Sequence, residues 1–96
     1  MKFKIPTEIE LAGQTFKIAM DPSLRQISGC CGQTHFDEGM IIIDPGLRGD
    51  TKAVTYFHEL THAILHTMGA TDLNKDEAFV DMLGNLLWQS FKSAKY

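Results

Sequence analysis

The hydrophobic rhythm of the chain changes once, near its middle. Up to Gly46 apolar residues come in short alternating or continuous runs closed by glycine, proline and aspartate, and beyond it they recur every three or four residues. The first rhythm is that of strands and the second that of amphipathic helices. Phe3 to Leu11 and Gln14 to Met20 flank Ala12-Gly13 as the arms of a hairpin, with Pro6 marking the first arm as an edge or a late start. Asp21-Pro22-Ser23 opens a short helical turn through Leu24 to Gln26, and a weaker strand, punctuated by Gly29 and Gly32, spans Ile27 to Phe36. After the turn Asp37-Glu38-Gly39, the continuous run Met40 to Ile43 predicts a strand covered on both faces, ended by Asp44-Pro45-Gly46.

A helix is predicted from the Gly49 to Thr51 region, with Asp50 or Thr51 as N-cap, to Met68, where Gly69 supplies the stop. Its apolar stripe is Ala53, Phe57, Leu60, Ile64 and Met68. A second helix begins around Asp72 to Asn74, carries Phe79, Met82, Leu83, Leu86, Leu87 and Phe91, and frays from Ser93 to Tyr96. Strands followed by helices predict an α+β domain: an N-terminal antiparallel or mixed sheet, then two helices.

Composition narrows what such a domain does. At 96 residues it is expected to be one domain, residues 1–96, near the lower limit for a single hydrophobic core. A net charge of -3 with no lysine or arginine cluster leaves no means of neutralising phosphates, so nucleic acid is not an expected partner. No apolar run reaches the length of a membrane span, and MKFKIPTEIE lacks the apolar centre of a secretion signal, so no membrane association and a cytoplasmic location are expected. The adjacent Cys30 and Cys31 point to opposite faces in a strand, which reads as two reduced, half-buried residues in a reducing compartment. Arg25, Arg48 and Lys52 read as solvated charges, and Tyr56 and Trp88 as packing residues.

The chemistry concentrates in TYFHELTHAILH, Thr55 to His66, which holds three of the four histidines. On a helix His58 and His62 lie about 40° apart and one turn along the axis, so both imidazoles can reach one ion. His66 is about 12 Å from His58 along the same helix, too far to complete that set. Glu59 projects about 100° from the first histidine, where it can meet a water activated by the metal. That is the general-base position of the HExxH pattern and suits hydrolysis of a peptide bond. The competing interpretation is two histidines and a glutamate on a solvated helix face.

The segment resembles the active-site helix of the zincin metallopeptidases. Downstream, DEAFVD, Asp76 to Asp81, resembles the glutamate-ligand motif of the thermolysin-like gluzincins, and the whole is similar to compact, often phage-encoded or ImmA-like minimal gluzincins. The resemblance covers Val54 to about Leu87 and implies a zincin-like fold, Zn2+ as cofactor, Glu77 as third ligand beside His58 and His62, and Asp81 as hydrogen-bond partner of a ligand histidine, His58. It also implies a peptide or protein substrate held along a sheet edge, with a residue such as His35 or His66 stabilising the oxyanion. Residue patterns leave an alternative for Glu77, because Asn74 and Glu77 have the spacing of a capping pair. The alternative function is a zinc-stabilised module that binds a peptide or protein without cutting it.

Overall fold

A computed structural model describes residues 3–96; Met1 and Lys2, part of the N-terminal stretch read above, lie outside the described residues. β1 (Glu8–Leu11) and β2 (Gln14–Met20) form the expected hairpin, with Leu11 opposite Gln14. The two linking residues, Ala12 and Gly13, have φ of 50° and 84°, the left-handed pair that a two-residue hairpin turn needs. β1 starts late, after Pro6, while Phe3 turns inward among Tyr56, Phe57, Trp88 and Phe91, with ring centroids 5.1 to 5.8 Å away.

α1 (Leu24–Ser28) is longer than the predicted turn and takes Ile27 and Ser28 from the predicted strand. Ser28 Oγ donates to the Leu24 carbonyl at 2.7 Å, and Gly29, at φ 74°, donates its N–H to the Arg25 carbonyl at 2.9 Å. Gly29 is therefore a helix stop, and the strand is confined to β3 (Gly32–His35). β4 (Met40–Ile43) follows, parallel to β2 and antiparallel to β3, giving a mixed four-stranded sheet in the order β1-β2-β4-β3 with β3 at an edge.

Ile41 and Ile43 are completely buried under the helices, but Met40 and Ile42 are only half-buried. The expectation of cover on both faces is thereby corrected, because β4 packs its core against the helices on one side. At the end of β4, the buried Asp44 accepts from Arg25 Nε at 2.7 Å and from the Gly46 N–H at 2.8 Å. Arg25 is not a free surface charge: a buried carboxylate needs such partners.

α2 (Asp50–Met68) has the predicted span, but Gly49 rather than Asp50 or Thr51 is its N-cap. Gly69 closes it in the left-handed conformation. The buried face is Ala53, Tyr56, Phe57, Glu59, Thr61, Ala63 and Leu65, whereas Met68 is 71% exposed and Leu60 and Ile64 are half-buried. The predicted stripe was too narrow because α2 packs on more than one side, against the β3–β4 part of the sheet and against the helical segments that follow it.

The second predicted helix is two helices, α3 (Thr71–Lys75) and α4 (Glu77–Ser93). Asp76 leaves helical backbone at φ -87°, ψ 94°, and its carboxylate caps α4 by accepting the Phe79 N–H at 3.1 Å. α4 buries Val80, Gly84 and Trp88, while the predicted Met82, Leu86 and Phe91 are mostly exposed. At the α2 crossing a Cβ on Gly84 would stand 3.1 Å from His58 N and Cα and 3.2 Å from the Phe57 carbonyl oxygen. Glycine here lets two backbones touch. The result is a small α+β domain, and among the described residues no helix is long and apolar enough to cross a membrane.

Candidate metal centre

The close approach at Gly84 brings the start of α4 against the middle of α2. His58 Nε2 lies 3.3 Å from Glu77 Oε2, and His62 Nε2 lies 3.2 Å from Glu77 Oε1. The three residues offer ligand atoms all within 4.8 Å of one another, so they form a group able to hold a metal ion. Two donors about 2.1 Å from a shared tetrahedral ion stand about 3.4 Å apart, so the two nitrogen–oxygen separations fit such an ion. The histidine side chains are mostly covered, whereas that of Glu77 is 68% exposed, which leaves the group open on one side.

Each histidine has a second polar partner behind it. His62 Nδ1 is 2.7 Å from Asn74 Oδ1, and His58 Nδ1 is 3.6 Å from Asp81 Oδ1. With the Nδ1 proton donated to Asn74, the lone pair of His62 is left on Nε2, facing Glu77. Asp81 was anticipated beside His58 and stands at slightly more than hydrogen-bond length. Asn74 was not anticipated: the apparent capping pair with Glu77 does not form, because Asp76 is the cap and Asn74 sits on the separate helix α3. The only signal for it in the sequence is that Asp76 can start a helix of its own.

Glu59 points to the other flank of α2 and is 8% exposed. Its Oε1 accepts from Thr34 Oγ1 on β3 at 2.7 Å. Together with His62, Glu59 lines an open space of about 330 Å³ whose other wall is the edge strand, Gln33 to Phe36. His35 borders this space, with Nε2 paired to Gln33 Oε1 at 3.0 Å. His66 is exposed and stacks on Phe36, ring centroids 4.0 Å apart, away from the ligand group. A larger hollow of about 410 Å³, between Phe3, Leu47 and Trp88, contains none of these histidines or Glu59. Its size does not make it the chemical site.

No protein-family model, curated protein or solved structure matches the chain. The functional argument therefore rests on the geometry of the group itself.

Proposed function

We propose that the protein is a small zinc metallopeptidase of the gluzincin kind, acting on a peptide or protein. His58, His62 and Glu77 would hold the ion, and two imidazoles with one carboxylate favour zinc over magnesium or calcium. When bound, such an ion supplies Lewis acidity, acidifying water and polarising a carbonyl. The remaining steps belong to the chain. Asn74 holds the His62 ring so that Nε2 faces the ligand group, and Asp81 does the same, more loosely, for His58. Glu59 holds a carboxylate at the edge of the open space, where it takes a proton from water and returns it to the leaving amine. β3 pairs with β4 on one side and leaves its other edge to an extended peptide, whose backbone can pair with it irrespective of side chains. His35, which borders the space, is the better placed candidate of the two histidines for stabilising an oxyanion; His66, stacked on Phe36, is the weaker. The two free thiols, Cys30 and Cys31, suit a cytosolic workplace.

The observation that carries this proposal is the convergence of Glu77 on both Nε2 atoms, with Glu59 and a strand edge that has no strand partner among the described residues beside it. Elemental analysis should find about one zinc per chain in the wild type and none in Glu77→Ala. A mixed library of internally quenched peptides should then be cleaved by the zinc-loaded wild type and left intact by Glu59→Gln, which keeps both zinc and fold. Cleavage by neither, with zinc present in both, would favour the binding-module alternative.

A further inference from the structure

Two successive inward positions of β3, Gly32 and Thr34, both meet the Glu59 side chain of α2. Gly32 and Thr34 are two apart and so share a face of the strand. Thr34 Oγ1 lies 2.7 Å from Glu59 Oε1 and 3.1 Å from the Glu59 carbonyl oxygen. A hydroxyl has one proton, and the shorter, charge-assisted contact to the carboxylate is the stronger of the two. At Gly32, a Cβ would stand 3.0 Å from Glu59 Cγ, 3.3 Å from Oε2 and 2.7 Å from Thr55 Cγ2. The space that the missing methyl leaves is taken up by the Thr55 and Glu59 side chains together. No enclosed side-chain oxygen lacks a partner among the described residues, so Oε2, which accepts no protein hydrogen bond, is not sealed off from solvent, and the residue it belongs to lines the open space.

We infer that Thr34 and Gly32 are positioning residues for Glu59: Thr34 fastens Oε1 to the strand, and Gly32 leaves room for Oε2 to face the cleft. The consequence is mechanical. A peptide pairing with the edge of β3 is set in register by the same strand that holds the proton acceptor, so substrate and base share one reference frame. This rests on the peptidase proposal for its catalytic consequence, although the hydrogen bond itself can be tested without turnover.

The experiment uses zinc-loaded full-length protein and a single quenched peptide chosen from the library screen. Thr34→Val keeps the side-chain shape but removes the donor, and Thr34→Ser keeps the donor. Thr34→Val should lower kcat about 10- to 100-fold with KM and zinc affinity, read by chelator competition, near wild type; Thr34→Ser should recover most of the rate. Alongside, urea unfolding of Thr34→Val, Glu59→Ala and the double variant should show the double losing less stability than the sum of the singles. Additive losses would mean that the bond does not exist and would overturn the inference. So would a Thr34→Val rate equal to wild type, or a Thr34→Ser rate as low as that of Thr34→Val. Failure of the peptidase proposal looks different: the wild type itself cleaves no library peptide, and Thr34 then loses any catalytic role whatever the unfolding data give.

Discussion

Two glycines bracket α2, and the difference between them separates holding a metal from using it. Gly84 meets the backbone of His58 and Phe57, whereas Gly32 meets the side chains of Thr55 and Glu59. Backbone cannot step aside, so the α4 flank is a rigid joint that sets where Glu77 stands relative to both histidines. Side-chain ends can rotate, so the β3 flank is a softer cradle that sets only where the Glu59 carboxylate points. One helix thus carries ligands and base on neighbouring residues, His58 and Glu59, yet each is positioned by a different neighbour.

That contrast can be broken most forcefully at Gly84. Gly84→Ala should cost about 1–3 kcal/mol of stability by overpacking and weaken zinc binding as well, because parting the helices moves Glu77 from His58 and His62. Urea unfolding and chelator competition would measure both, and an unchanged zinc affinity would show that the joint does not define the ligand group. On the same flank, Asn74→Ala should reduce zinc affinity by about 10- to 100-fold with little loss of fold. Asp81→Ala should reduce it less, in keeping with 3.6 Å at His58 against 2.7 Å at His62. The reverse order would mean that His58, not His62, is the more firmly oriented ligand.

Gly32→Ala probes the softer side. It should leave zinc stoichiometry intact and cost less stability than Gly84→Ala, while peptide turnover falls because Glu59 is displaced; loss of zinc instead would merge the two flanks into one unit. The smallest effect serves as a control beyond both. Hydrogen bonds from the Ser23 hydroxyl, and then from its backbone N–H, lower the Asp21 pKa against a small opposing effect of desolvation. A depressed carboxylate pKa stabilises the fold above its unfolded value, about 3.9, and the contribution fades as pH falls through the folded value. Asp21→Asn should therefore be slightly less stable than wild type near neutral pH and equal to it in strong acid. Zinc content and turnover at neutral pH should not change.

Local pattern and tertiary contact divided the work of specifying this molecule. The hairpin Glu8 to Met20, the span of α2 and the α+β order followed from periodicity and turn residues, because these depend on neighbours close in the chain. The pairing of His58 with His62 also followed, since one turn of helix is enough to bring i and i+4 together. Gly29 and Asp76 were harder, since each had to be recognised as a helix terminus rather than as an interruption in a strand or a residue within a longer helix. Glu77 and Asp81 came from a resemblance to a known motif, and only the packing of α4 against α2 through Gly84 brought them to the histidines. Thr34 carried no local signal at all, and Asn74 only the indirect one that Asp76 can start a helix of its own. Their roles arise where α3 and the sheet edge meet α2, 12 and 25 residues away in sequence, and contacts at that separation are decided by the close packing of whole elements.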